Sequence, residues 1–311
     1  MSTRHGLGDP RIPWTILLRA DGVRSTPDDA APVHTTTVAD QLRRLAGERP
    51  DPVAIARVGD TLVIAGDHSR LDGLSLLAVL ERELGVPVRS TAAGVGGGRP
   101  QRRLSTVLWL RAVEVALRPP AVVAGSPGAS HPGDAFASAR HKGRVSTSRL
   151  VVAAAAAIAR WNREHGARDR RVSVAVGVST VGGAEATIGD HSGFLRLTDV
   201  EAMSPDQVRR AIASAALQPG GAPAGAGILR AMTTLLAPRL GSTLLVSHLG
   251  EVETSGCDDL AFYPVTGGAS GVSLGAVGIA GHTTITLRAR GANHDEDGLR
   301  SLLETVLGEL G

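Results

Sequence analysis

The chain has almost no lysine, few aromatic side chains and a single cysteine, and each shortage excludes something. Of its 33 basic residues only Lys142 is a lysine, the others being arginines. Aromatic residues make up 2% of the chain, which excludes the row of stacking rings that a single-stranded nucleic-acid surface needs. The 33 basic residues face 30 acidic ones for a net charge of +3. That balance gives neither a nucleic-acid footprint nor a membrane-binding patch. Cys257, alone, excludes an intrachain disulfide and a thiolate-rich zinc site, and this fits a cytoplasmic setting. The opening residues Met1–Gly6 carry no apolar core of the signal-peptide kind. The longest apolar run, Leu150 to Ala159, is too short to cross a bilayer. The expectation is a soluble, cytoplasmic protein with no membrane span.

At 311 residues and 42% hydrophobic, the chain is long enough for one large domain or two similar halves. After a loose leader over residues 1–13, Trp14–Leu18, Val53–Arg57 and Thr61–Ala65 read as strands, with Gly59-Asp60 as a hairpin turn. Val38–Ala46 reads as a helix, as does Leu74–Leu84, which Gly85 and Pro87 terminate. The glycine-rich residues 91–100 form a loop, and a further helix is expected over Leu104–Leu117. A Gly/Pro/Ser-rich stretch from Gly125 to Asp134 marks the junction between halves, assigned as 1–145 and 146–311. The second half opens on the capping cluster Ser146-Thr147-Ser148 and a helix from Arg149 to His165, whose alanine run has high helix propensity. Val172–Val178, Leu244–Ser247 and Thr283–Arg288 read as strands, and Pro205–Leu217 and Asp295–Leu310 as helices. Helices and strands mix without a strict βαβ rhythm, which predicts an α+β or mixed α/β class.

The chemistry concentrates in Gly66-Asp67-His68-Ser69-Arg70-Leu71-Asp72-Gly73, a turn from a buried strand into an apolar helix. Such turns place polar side chains at the end of rigid elements, and histidine exchanges protons near neutral pH. His68 is either a general base or a polar turn histidine beside a helix cap at Asp72. Gly-Asp-His recurs at 189–191, so Asp67, His68, Asp72, Asp190 and His191 form a conceivable metal set. Adjacent Asp-His on a strand point to opposite faces, however, and each pair would give about one ligand. Gly271-Val272-Ser273-Leu274-Gly275 matches the serine-hydrolase pattern, but residues 276–290 read as a hairpin around Gly281 where that motif requires a helix. Gly94-Val95-Gly96-Gly97-Gly98 lacks the Lys-Ser/Thr of a phosphate loop. Arg168-Asp169-Arg170-Arg171 reads as a solvated charged turn. Cys257 beside Asp258 and Asp259 is a poor nucleophile.

The turn resembles His-His-x-x-x-Asp-Gly, the signature of the CoA-dependent acyltransferase superfamily, with Asp67 at the first histidine. That group includes chloramphenicol acetyltransferase, condensation domains of nonribosomal peptide synthetases and wax ester synthase-like acyltransferases. Further stretches match in order. Residues 149–181 are similar to the helix and strand that open the family's second half. Ile188-Gly189-Asp190 resembles its Ile-Gly-Asn segment, and Val246-Ser247-His248-Leu249-Gly250 its Val-Ser-Asn-Leu-Gly strand. Residues 271–275 and 284–290 are similar to its closing hairpin. Together these cover roughly residues 50–310.

The resemblance implies two chloramphenicol acetyltransferase-like halves forming a V around a central tunnel, with the N-terminal half reduced. It implies transfer of an acyl group from acyl-CoA or an acyl-carrier protein to a small amine or alcohol, in natural-product biosynthesis, without a cofactor or metal. His68 takes the place of the general base, Asp72 a structural role usually met by an arginine, and Gly73 the tight turn. Ser247 or a nearby backbone N–H is the candidate oxyanion donor. Ser179-Thr180-Val181 stand where the arginine is usual, so Asp72 is expected to pair with Arg70 or Arg144, or to stay unpaired. The resemblance also admits a carrier-protein-binding scaffold without catalysis, or a member that runs cyclisation, elimination or epimerisation.

Overall fold

The computed structural model describes residues 15–24, 36–95, 114, 117–182, 187–219, 242–266 and 271–311. Its first elements are strand β1 (Thr15–Asp21), helix α1 (Val38–Gly47), strands β2 (Val53–Val58) and β3 (Thr61–Asp67), helix α2 (Gly73–Leu84) and the short β4 (Arg89–Ser90). Next come β5 (Asp134–Lys142), α3 (Thr147–Glu164), β6 (Val174–Ser179), β7 (Ser192–Leu197), α4 (Pro205–Ser214) and β8 (Gln218–Pro219). Strands β9 (Leu244–Glu253), β10 (Asp259–Tyr263), β11 (Val272–Ile279) and β12 (His282–Arg290) precede the last helix, α5 (Glu296–Leu310).

The strands form two sheets, a four-stranded one ordered β10-β1-β3-β2 and an eight-stranded one ordered β5-β12-β11-β9-β6-β7-β8, with β4 against β9. In the larger sheet β9 runs parallel to both β6 and β11, and the remaining pairs are antiparallel. The class is therefore mixed α+β, as the sequence predicts. Two strands sit far from their chain neighbours. β5 pairs with β12 across the larger sheet, and β10 joins β1 in the smaller one.

Burial explains why these segments become these elements. Every residue of β3 is buried, because Leu62 and Ile64 face α2 while Val63 and Ala65 face α1. A strand covered on both faces reads as an unbroken apolar run. Helix α3 buries Ala153, Ala154, Ala155 and Ala157 between the larger sheet, α4 and α5, where side chains of one carbon permit close approach. At its far end Asn162 accepts from Ala124 N–H at 2.8 Å and donates to the carbonyls of Val122 and Arg168 at 3.0 and 2.7 Å. Residues 122–124, just ahead of the Gly/Pro/Ser-rich segment, are thereby pinned to the helix.

The differences from the sequence reading have local causes. The first strand continues to Asp21 because β3 and β10 hold it from both sides. Helix α4 stops at Ser214 instead of Leu217, since Leu217 turns in to pack over Gly193 and Gln218 pairs with Phe194. Strands β5, β7 and β10 carry no distinct signal in the sequence; each is defined by long-range pairing or by its sheet neighbours. The leader, the loop beyond residue 95 and the helix expected over 104–117 (apart from Glu114 and Leu117) lie outside the described residues.

The β11–β12 hairpin turns through Ala280 and Gly281, with φ of 50° and 81°. A left-handed conformation is uncommon for a residue with a Cβ and favours Asn or Gly in this type of turn. Ala280 is exposed, so Ala280→Asn is expected to stabilise the fold by about 1 kcal/mol, part of the left-handed cost that asparagine escapes. The urea midpoint of the two proteins measures this, and an unchanged or lower midpoint would contradict it.

Candidate functional site

Strand β3 delivers Asp67, and the turn 68–70 follows, closed by the N–H groups of Arg70 and Leu71 donating to the Asp67 carbonyl at 2.9 and 3.0 Å. His68 is half-buried, and its Nδ1 lies 2.8 Å from the Leu71 carbonyl oxygen. A carbonyl only accepts, so Nδ1 carries the proton. In the neutral ring the proton-accepting lone pair is then on Nε2.

Asp67, in the position of the missing first histidine, is buried and fully engaged. Its Oδ1 accepts from Ser69 N–H and Oγ at 2.9 and 2.7 Å, and its Oδ2 from Arg49 Nε at 3.1 Å. Burial works to raise its pKa, but the Ser69 and Arg49 hydrogen bonds and the Arg49 charge outweigh it and hold the carboxyl below the ordinary value. The substitution thus places a tethered anion under the turn.

Asp72 is the N-cap of α2, its Oδ1 accepting from Ser75 N–H at 2.8 Å, with Ser75 Oγ also 2.8 Å away. The expected arginine partners are engaged elsewhere: Arg70 pairs with Asp51, and Arg144 lies 3.5 Å from Glu251. Asp72 Oδ2 instead faces the Ser179 hydroxyl at 3.4 Å, on the residue that stands where the arginine is usual.

Gly73 is not required by a turn. It is the first helical residue and its backbone is not left-handed. A Cβ there would lie 2.7 Å from Leu249 Cδ2 and 3.0 Å from Phe262 Cζ. The glycine is needed because α2 starts against β9 and β10.

Ser247 sits half-buried in the middle of β9, in register with Gly177 of β6 and Gly275 of β11. Its Oγ lies 3.1 Å from where a Gly177 Cβ would stand, so its hydroxyl is flanked by residues without side chains.

The second Gly-Asp-His segment reaches the end of the turn that follows the first, since Asp72 N–H donates to the Gly189 carbonyl at 3.2 Å. They do not assemble ligands. Asp190 is turned onto Ser192, and His191 Nε2 lies 3.4 Å from Thr187 Oγ1. Among the described residues no group of three or more His, Cys, Asp or Glu side chains could hold a metal ion. Ser273 is fully buried within β11, its hydroxyl donating to the Pro264 carbonyl at 3.3 Å, and β12 follows where a hydrolase needs a helix. Burial and the neighbouring Asp258 and Asp259 push the Cys257 thiol up to about 12. Arg163 and Asp169 pair across the charged turn.

Two histidines, one half-buried and one buried, carry a buried ring nitrogen that no sequence pattern announces. His248, on β9, has Nδ1 3.1 Å from Thr147 Oγ1 and a buried Nε2 without a partner among the described residues. His294, before α5, is 1% exposed, and its Nε2 likewise has no partner there. Burial pushes both imidazoles down to about 4. Unfolding restores a value near 6.5, so between pH 6.5 and 4 the unfolded chain binds protons that the native one excludes. Stability therefore falls as pH drops through that window, by up to about 3 kcal/mol for each histidine at 1.36 kcal/mol per pKa unit. Urea titrations at pH 7.0, 5.5 and 4.5 measure the loss, and His294→Leu is expected to reduce its slope. An unaltered slope would show that His294 is not buried neutral.

No family model matches the sequence, and a search of the curated proteins finds no relative. Solved structures do match. The first condensation domain of the calcium-dependent antibiotic synthetase, in complex with substrate analogue 2a, is 15% identical with a TM-score of 0.52; the match covers 96% of this chain and 91% of that one. A mutant of the starter condensation domain of rhizomide synthetase RzmA, in complex with C8-CoA, is 14% identical with a TM-score of 0.50, covering 96% and 90%. The match to the structure of condensation domain-mediated chain release from the enacyloxin polyketide synthase, at 14% identity and a TM-score of 0.48, covers 83% of this chain and 59% of that one. The chain has the condensation-domain fold. This is the fold of the CoA-dependent acyltransferase superfamily, the group that the Asp67–Gly73 turn resembles. Among the described residues no helix is long and apolar enough to cross a membrane.

Proposed function

We propose that this protein is a condensation-type acyltransferase that forms an amide or ester in natural-product biosynthesis. The donor is an acyl thioester on CoA or on a phosphopantetheinyl carrier protein, and the acceptor a small amine or alcohol. The observation that carries this reading is the fixed imidazole of His68. Nδ1–H donates to the Leu71 carbonyl, so the basic lone pair sits on Nε2 at the end of a rigid strand. As the acceptor N–H or O–H attacks the thioester carbonyl, its proton passes to Nε2 and the thiolate of CoA or carrier departs. Ser247 is proposed to stabilise the developing oxyanion. The setting is proposed to be the cytoplasm, where both donors are found.

A scaffold that binds a carrier protein without catalysis is the second reading. It is favoured by Asp67 in place of a histidine and by Ser179 in place of an arginine. Cyclisation, elimination or epimerisation of a bound thioester would use the same histidine. A panel of acyl-CoA and acyl-carrier donors offered with amines and alcohols, with His68→Ala in parallel, separates these readings. Product that requires His68 supports the transferase. Carrier-protein binding without turnover by any donor supports the scaffold.

A further inference from the structure

The hydrogen bonds around Ser75 join the end of the His68 turn to segment 187–189 of the second half of the chain. The Ser75 side chain is fully buried and lies in the first turn of α2, three residues after the cap Asp72. Its Oγ is 2.6 Å from the Gly189 carbonyl oxygen, 3.1 Å from Gly189 N, 2.8 Å from Asp72 Oδ1 and 3.2 Å from the Thr187 carbonyl oxygen. A hydroxyl has one proton and two lone pairs. Asp72 Oδ1 is already served by Ser75 N–H at 2.8 Å, whereas the Gly189 carbonyl is the nearest acceptor. The one hydroxyl proton thus has Asp72 Oδ1 and the Gly189 carbonyl within reach, and Gly189 N–H donates to Oγ. Asp72 N–H adds a further bond to the same carbonyl at 3.2 Å.

The chain of contacts leads onward to the imidazole. Segment 187–189 holds Asp72 and Ser75; Leu71, next to Asp72, offers the carbonyl that fixes His68 Nδ1. Among the described residues no ion pair anchors Asp72, and the Ser179 hydroxyl at 3.4 Å stands in for one.

We propose that Ser75 is a positioning residue that couples segment 187–191 of the second half to the tautomer and orientation of His68. The proposal rests on the reading of His68 as the general base. It assigns segment 187–191 a part in setting the base.

Ser75→Ala tests it, because the Asp72 cap to the residue-75 N–H survives and α2 keeps its N-terminus. Hydrogen exchange of the amides at 187–191 is expected to speed at least tenfold, with α2 amides unchanged. The ¹⁵N signals of His68 are expected to move from the Nδ1–H tautomer towards a mixture. With a working donor and acceptor, kcat is expected to fall about tenfold and KM to change less than twofold. Ser75→Thr, which keeps the hydroxyl, is expected to restore all three readouts. Ser75→Cys, close in size and a weak donor, gives the same test if the alanine variant does not fold. Unchanged exchange at 187–191 and an unchanged His68 tautomer in Ser75→Ala would overturn the coupling. Full turnover by His68→Ala, with exchange and tautomer altered as expected in Ser75→Ala, would instead overturn the general base and leave the coupling standing.

Discussion

Arg288→Met is expected to destabilise the protein by about 3–5 kcal/mol, the usual consequence of removing one partner from a buried ion pair. Arg288 is 1% exposed. From β12 its Nε donates to Asp134 Oδ2 of β5 at 2.7 Å, and its Nη1 donates to the carbonyls of Thr15 in β1 and of Pro264 after β10. The guanidinium also lies over the Phe136 ring, 5.6 Å from its centre. One side chain thus satisfies groups on both sheets. Burial lowers its pKa and the Asp134 carboxylate raises it again, with burial the stronger effect. Methionine would fill the space, yet Asp134 would keep an uncompensated charge and two buried carbonyls would lose their donor. The urea midpoint, at an unchanged m-value, reports the loss. Arg288→Lys should recover only part of it, because an ammonium cannot reproduce the planar fork. A loss below about 1 kcal/mol in Arg288→Met would show that the pair contributes little beyond its own desolvation cost.

The second large effect concerns turnover. Under the acyl-transfer proposal, His68→Ala is expected to lower kcat about 10²- to 10⁴-fold, the range that a positioned base supplies. Stability should change by less than about 1 kcal/mol, since His68 is on a half-exposed turn outside the three hydrophobic clusters. His68→Gln would keep a donor towards the Leu71 carbonyl but has no basic nitrogen, so it should be as inactive as alanine. Turnover by His68→Gln close to wild type would mean that the side chain positions and does not accept a proton.

Much of the site is legible in the sequence because it is local. The strand 61–67, the turn and the helix from residue 73 follow one another along the chain, and the cap at Asp72 is specified by short-range hydrogen bonding. Helix α3 is announced by Ser146 and its alanines, and the β11–β12 hairpin by Gly281. The partner of Asp72 is not legible. Arg70 is two residues away in the sequence, yet Asp51 holds it, while Ser179, 107 residues distant, faces the carboxylate. The need for Gly73 also lies outside any local pattern: a turn is expected there, but Leu249 and Phe262 crowd it from strands late in the chain.

Sequence alone determined the mixed α+β class, the position of the His68 turn and the likeness to condensation-type acyltransferases. All three depend on contiguous patterns of burial, capping and residue identity. The tertiary structure decided which residues serve that turn. Strands β5 and β10 pair far from their chain neighbours, Gly189 meets Ser75, and Arg288 reaches Thr15 across 273 positions. Such pairings are fixed by which buried donors and acceptors remain to be satisfied once the sheets close, and no local window of sequence contains that information.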